Sequence, residues 1–149
     1  MIGDTGTGAL AVEAARAWIG TPFRHQGSCQ GIGADCLGLV RGVWRALHGA
    51  EPWLVPAYEE AWAESGFGAR LEQALGEHLC RRDMECRRPG DVLLFTIGGA
   101  SSGRHLGILT RTAWGEAFVH AYTRHGVVES HLTKPWRRRV KGCFAFPTG

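Results

Sequence analysis

The sequence predicts an α+β fold, in which helices from the first part of the chain pack against a mostly antiparallel sheet. Before residue 80, apolar residues recur at helical spacing, whereas the chain after Arg88 consists of short β-rich segments separated by Gly, Ser or polar residues. Helices followed by strands are typical of α+β proteins, since α/β proteins alternate the two. The 149 residues suffice for one hydrophobic core, so we expect a single domain over residues 1–149.

The first predicted helix covers residues 9–19, and Gly20 and Pro22 end it. Its predicted buried face consists of Leu10, Ala14, Ala17 and Trp18. The glycine-rich start of the chain, "GDTGTG", lacks the Lys-Ser/Thr pair of a phosphate-binding loop. A glycine-crowded loop, "GTPFRHQGSCQGIGA", follows the helix.

The second predicted helix covers residues 36–47, within "GADCLGLVRGVW" and beyond, and Asp35 is its expected N-cap. The apolar stripe of this helix consists of Cys36, Leu39, Val40, Val43 and Leu47. A third helix carries Leu71, Leu75 and Leu79. The predicted strands lie in "RPGDVLLFTIG", "RHLGILT", "EAFVHAY", "GVVESHL" and "VKGCFAF".

Composition excludes several classes of protein. The sequence is 44% hydrophobic and 21% charged, as in ordinary globular proteins, and no apolar run is long enough to cross a membrane. A formal net charge of +3 does not argue for nucleic acid, and the basic run 133–142 reads as a solvated face or as a contact with an anionic partner. The five cysteines form no disulfide framework, and the N-terminus does not resemble a secretion signal, so we expect reduced thiols in a protein made in the cytoplasm.

No metal or cofactor is expected. His78, Cys80 and Cys86 in "EHLCRRDMEC" match the spacing of no common zinc site, and a fourth ligand would have to come from far away in the chain. The segment therefore reads as a helix end with two ordinary thiols.

Cys36 has two interpretations. It fills the core on an apolar stripe, or it is a nucleophile at the positive end of a helix. A helix terminus contributes about 0.3–1 kcal/mol, up to about 2 when partly buried, which lowers a thiol pKa by roughly one unit. Since an ionised Asp35 would act in the opposite direction, a nucleophilic Cys36 requires an imidazole beside its sulfur.

Two of the seven histidines suit that role. His105 starts a predicted strand, which we expect at a sheet edge, and His120 lies between apolar residues on the next strand. A histidine buried there needs a hydrogen-bond partner, which the second imidazole would supply. Taken alone, each histidine reads as structural, and His48, His78, His125 and His131 are expected on the surface or as satisfied core residues.

The motifs taken together resemble the NlpC family of cell-wall cysteine peptidases, the NlpC and p-sixty group, over residues 9–129. They are "GTPFRHQGSCQGIGADCLGLV", "RHLGILT", and "FVHAY" with "GVVE" after it, in the order typical of the family. The resemblance implies a papain-like core and is strongest to the phage-type members, which also occur in gene transfer agents.

The resemblance implies that Cys36 is the nucleophile, that His105 is the base and that His120 orients it. It implies substrate-binding positions at Asp35 and Phe23, and cleavage of the peptidoglycan stem peptide between D-glutamate and the diamino acid. Phe23 stands where the family usually has tyrosine, and Leu37 stands where it has a small hydroxyl residue.

The resemblance also implies a setting. We expect the protein in a virion or phage-like tail, beside tail or baseplate proteins, acting on the cell wall in the periplasm. Two alternatives stay open: a structural tail component that keeps the fold with little activity, and an amidase or transferase on the same scaffold.

Overall fold

The computed structural model describes residues 2–59, 66–97 and 104–148, and the side chains from residue 6 onward. Four helices lie in these ranges, together with one 3-10 turn at Met84–Cys86: α1 (Ile2–Arg16), α2 (Cys36–His48), α3 (Phe67–His78) and α4 (Lys134–Arg138). The strands are β1 (Ser28–Cys29), β2 (Gly33–Ala34), β3 (Cys80–Arg82), β4 (Val92–Phe95), β5 (His105–Thr112), β6 (Gly115–Tyr122), β7 (Gly126–His131) and β8 (Val140–Ala145).

Six strands form one sheet in the order β3-β8-β4-β5-β6-β7, and every neighbouring pair is antiparallel. The small pair β1–β2 lies in the loop that precedes α2. The predicted α+β class and all five predicted strands are therefore confirmed. The strand β3 was not predicted, because its sequence, Cys-Arg-Arg, has no apolar face.

Each face of the sheet is covered by its own apolar cluster. Alternating residues such as Leu94, Ile108 and Val119 face the helices α1, α2 and α3. The intervening residues, including Phe95 and Phe118, face the short helix α4 and its Trp136. The alternation follows from the two-residue period of a strand, so the strands β4, β5, β6 and β8 supply side chains to both clusters.

The first helix differs from the prediction. It spans Ile2–Arg16 instead of residues 9–19. Ala11 and Ala15 are buried, as is Trp18 just after the helix, while the predicted Leu10 is 53% exposed. Glycines disfavour an isolated helix, but Gly8 lies against the turn before β4, where a Cβ would be 2.8 Å from the carbonyl oxygen of Pro89. Gly8 thus allows α1 to pack closely against a turn that is distant in the sequence.

The basic run contains a helix that the sequence did not predict. Arg137 and Arg138 of α4 are exposed, as expected for a solvated face. The preceding residue, Trp136, instead packs against the sheet. Over the described ranges, no helix has the length and apolar character needed to cross a membrane.

Candidate active site

The start of α2 is built around Asp35, which caps the helix as predicted. Its Oδ1 accepts a hydrogen bond from the Gly38 amide at 2.8 Å. Its Oδ2 accepts one from the Gln26 amide at 2.7 Å and another from the Tyr58 hydroxyl. Three donors from three parts of the chain therefore hold the carboxylate, which fixes the first turn of the helix.

The glycine-rich loop packs directly on this first turn. A Cβ at Gly38 would lie 1.7 Å from the carbonyl oxygen of Gly27, so no larger residue fits without moving the loop. The same carbonyl accepts a hydrogen bond from the Asp35 amide at 3.2 Å. The glycines before and after Cys36 thus serve to place the loop against the helix terminus.

Cys36 starts α2 and is 6% exposed. Backbone hydrogen bonds involving Leu106, Leu37 and Cys36 itself favour its thiolate, but burial first, and then the charge of Asp35, raise the pKa of the thiol well above its usual range. The helix terminus alone predicted a lower pKa, and desolvation outweighs it. In this state the thiol is neutral.

The two predicted histidines form a pair. His105 Nε2 lies 2.8 Å from His120 Nδ1, and His120 Nε2 lies 2.9 Å from the Ser130 hydroxyl. This confirms that a second imidazole satisfies the buried His120. A chain of polar atoms thus runs from β5 through β6 to β7.

The strand register explains how the pair and the cysteine come together. Pairing between β5 and β6 ends at Ile108 and Val119, which leaves His105 and the two residues after it beyond the last β6 partner. The predicted sheet-edge position is wrong, because β5 lies between β4 and β6. His105 therefore lies at the open end of an interior strand, and it lines the same cavity as Cys36.

Burial also keeps both imidazoles neutral. Desolvation and the neighbouring His120 lower the pKa of His105 to about 3, and desolvation lowers the pKa of His120 to about 4. The indole of Trp136 contributes to this dry environment, since its ring centroid lies 5.9 Å from that of His105 and 5.7 Å from that of His120.

A cavity of about 240 Å³ opens at this point. Its lining brings together four of the five predicted site residues, Phe23, Asp35, Cys36 and His105, while His120 lies behind His105. The remaining lining residues are His25, Ile97, Arg104, Ala121, Tyr122 and Thr123. Phe23 supplies an apolar wall without a hydroxyl, and both carboxylate oxygens of Asp35 already accept hydrogen bonds within the chain.

Leu37, the second departure from the family pattern, points elsewhere. It is buried and lines a separate apolar cavity of about 50 Å³, between α2 and α3. Its side chain therefore contributes to helix packing rather than to the cavity at Cys36.

His78, Cys80 and Cys86, the residues weighed as metal ligands, lie on three successive elements. His78 ends α3, Cys80 starts β3 and Cys86 ends the 3-10 turn. Across the part of the chain that the structure describes, no three His, Cys, Asp or Glu residues form a group that could hold a metal ion.

Sequence reasoning missed four residues of the site. The hydroxyl of Tyr58 bonds to Asp35 and that of Ser130 to His120, and no local sequence pattern predicts such contacts. Trp136 lies in the basic run 133–142 and Arg104 lies next to His105, and neither was predicted as a site residue. Two other tryptophans do not line this cavity: Trp53 stacks on Phe67, and Trp114 is 85% exposed.

Comparison with known proteins identifies this arrangement. A family model described as NlpC/P60 family matches residues 20–144. The chain belongs to the NlpC/P60 family. The predicted family is thereby confirmed, and the motifs that carried it lie inside the matched range.

Among NlpC/P60 relatives, the murein DD-endopeptidase MepS/murein LD-carboxypeptidase of Escherichia coli (strain K12) is 34% identical over 125 residues. These residues are 82% of this chain and 54% of that protein, so the chain spans about half the length of this relative. The gamma-DL-glutamyl hydrolase of Bacillus subtilis (strain 168) is 28% identical over 136 residues, which cover 91% of this chain and 28% of that protein.

Among solved structures, the NlpC/p60 domain of the peptidoglycan hydrolase SagA matches with a TM-score of 0.62 at 20% identity. The match covers 93% of this chain and 98% of that domain. This likeness supports the predicted papain-like α+β fold.

Proposed function

We propose that this NlpC/P60 chain is a cysteine peptidase that hydrolyses peptide bonds in the peptidoglycan stem peptide. In this proposal Cys36 is the nucleophile, His105 the general base and His120 the residue that orients it. The observation that carries the proposal is the hydrogen bond from His105 to His120, with His105 and Cys36 lining one cavity.

The hydrogen-bond donors and acceptors of the His105–His120 pair suit this chemistry. If His120 Nε2–H donates to Ser130, then His120 Nδ1 accepts from His105 Nε2–H, which leaves His105 Nδ1 free to accept the thiol proton. As the Cys36 sulfur bonds to the substrate carbonyl carbon, its proton passes to that nitrogen. The resulting imidazolium protonates the departing amine when the carbon–nitrogen bond breaks.

The acyl-enzyme is then hydrolysed by water, whose proton goes to His105 and returns to the thiol when the carboxylic acid leaves. The negative oxygen of each tetrahedral intermediate is stabilised by backbone amides at the start of α2, where the helix has unpaired donors. Since both groups are neutral when buried, the proton moves during attack rather than before it.

For the scissile bond we propose the link between D-glutamate and the diamino acid. The name of the Bacillus subtilis relative, a gamma-DL-glutamyl hydrolase, supports this choice. The Escherichia coli relative is named for DD-endopeptidase and LD-carboxypeptidase activities, so a panel of stem peptides with these three bonds tests the specificity.

We further propose delivery by a phage-like tail or gene-transfer particle, where local digestion of the wall in the periplasm would open a path for DNA. The resemblance of the motifs to phage-type members supports this setting. Copurification with tail or baseplate proteins, and labelling of intact particles with an antibody to this chain, test it.

The test of the activity is release of stem-peptide fragments from purified peptidoglycan, followed by mass spectrometry. We expect release by the wild type and by Cys29→Ala, because Cys29 is exposed and does not line the cavity. Cys36→Ala should release nothing while retaining the wild-type circular dichroism spectrum. Continued release by folded Cys36→Ala protein would refute the mechanism.

A structural tail component is the second candidate, and the buried, neutral Cys36 favours it. It predicts that folded wild-type protein releases no fragments from peptidoglycan. Activity confined to other amides in the substrate panel would instead favour an amidase or transferase.

A further inference from the structure

We infer that Arg104 is a specificity residue that binds a free carboxylate on the substrate beside the scissile amide. The inference deepens the proposed peptidase function and rests on it for the identity of the substrate.

Arg104 stands immediately before the proposed base. Its backbone amide donates to the carbonyl oxygen of Phe95 at 2.8 Å, which anchors the residue to the end of β4. Arg104 is half-buried and lines the same cavity as Cys36 and His105. Arg104 therefore borders the cavity that a substrate of Cys36 must enter.

The charges around the cavity are unbalanced. Half-buried arginines elsewhere in the chain have acidic partners, as in the pairs of Arg41 with Glu51 and Arg87 with Glu116. Among the described side chains, in residues 6–59, 66–97 and 104–148, no acidic group pairs with Arg104. The one carboxylate in the cavity wall, Asp35, is already engaged by three donors.

The proposed substrate carries the complementary charge. A D-glutamyl residue linked through its side chain keeps a free α-carboxylate, and a diaminopimelate residue on the other side of the bond keeps a second carboxylate. The D-glutamate α-carboxylate belongs to the residue that carries the scissile carbonyl, whereas the free diaminopimelate carboxylate lies at the far end of that residue's side chain. A guanidinium forms a planar, two-pronged pair with a carboxylate, which gives orientation as well as attraction.

The kinetic test compares one free-acid stem peptide with two analogues, one amidated at the D-glutamate α-carboxylate and one amidated at diaminopimelate. We expect the wild type to prefer the free acid over one analogue by about 10- to 100-fold in kcat/KM. Arg104→Gln should remove that preference by slowing the free acid alone, and Arg104→Lys should keep part of it. The analogue that is discriminated shows which carboxylate is bound.

The matched control is Arg70→Gln, which removes an exposed guanidinium of α3 that does not line the cavity. Arg70→Gln changes the net charge by the same amount as Arg104→Gln, and it should leave the preference for the free-acid peptide unchanged. Equal effects of Arg104→Gln on all three peptides, or a wild type without preference, would overturn the inference.

Binding provides a readout that does not need turnover. By calorimetry, Cys36→Ala protein should bind the discriminated amidated peptide more weakly than the free-acid peptide. Adding Arg104→Gln to this variant should abolish the difference in affinity between the two peptides. If wild-type protein cleaves no peptide but this difference is present, the peptidase proposal fails and the Arg104 site stands. Equal binding of all three peptides by Cys36→Ala protein contradicts the site.

Discussion

His105 Nε2 and His120 Nδ1 lie 2.8 Å apart, joining two neighbouring strands at the point where their backbone pairing has ended. The side-chain bond replaces the missing ladder contacts there. It also selects which nitrogen of His105 faces the cavity, so the tautomer of the proposed base depends on His120.

Replacing His120 tests this dependence. Asparagine places an oxygen where the imidazole places Nδ1, so His120→Asn should keep an acceptor for His105 and most of the activity. His120→Ala removes the acceptor and should lower kcat by about 100-fold, with little change in KM. Steady-state kinetics on a stem peptide measure both. Equal losses in the two variants would contradict an orienting role.

Trp136 should contribute both to stability and to the dryness of the histidine pair. Trp136→Ala is expected to lower the free energy of unfolding by about 2–3 kcal/mol, less than for a fully buried tryptophan. By admitting water it should also raise the pKa of His105 and His120 towards their ordinary values, as followed by NMR titration. Trp114→Ala, at an 85% exposed tryptophan, is the control and should change stability by less than about 0.5 kcal/mol. Unchanged histidine pKa values in Trp136→Ala would show that the indole does not exclude water.

The five thiols should react in the order of their exposure. Cys29, Cys80 and Cys86 are exposed, whereas Cys36 and Cys143 are buried. Burial and nearby carboxylates raise the pKa of both buried thiols, to about 12 for Cys143. Without substrate at neutral pH, iodoacetamide should therefore modify the three exposed cysteines first, as mapped by peptide mass spectrometry. Preferential modification of Cys36 would instead indicate an accessible thiolate.

Stability should fall in mild acid because of the histidine pair. The folded-state pKa values, about 3 for His105 and about 4 for His120, lie below the ordinary value near 6.5. Between pH 6.5 and about 4 the unfolded chain therefore binds more protons, and the free energy of unfolding decreases as pH falls, by up to about 1.4 kcal/mol per pH unit for each histidine. Urea denaturation across this range measures the slope, which His120→Asn should reduce. An unchanged slope in that variant would place the acid sensitivity elsewhere.

The sequence by itself determined most of the elements and singled out Cys36, His105 and His120 as candidate site residues. Helical spacing and the Asp35 cap predicted α2 almost to the residue, and alternation predicted five strands, because these signals depend on neighbours a few positions away. The pairing of His105 with His120 also followed from the sequence, since a buried imidazole requires a partner.

Only the tertiary structure decided the electrostatics of the site. The pKa of Cys36 depends on which distant segments exclude water from it, and burial there reversed the effect expected from the helix terminus. The bond of Tyr58 to Asp35, and the absence of an acidic partner for Arg104 among the described residues, likewise depend on chain segments that only folding brings together. Desolvation and long-range pairing are properties of a complete packing arrangement, so no local pattern in the sequence records them.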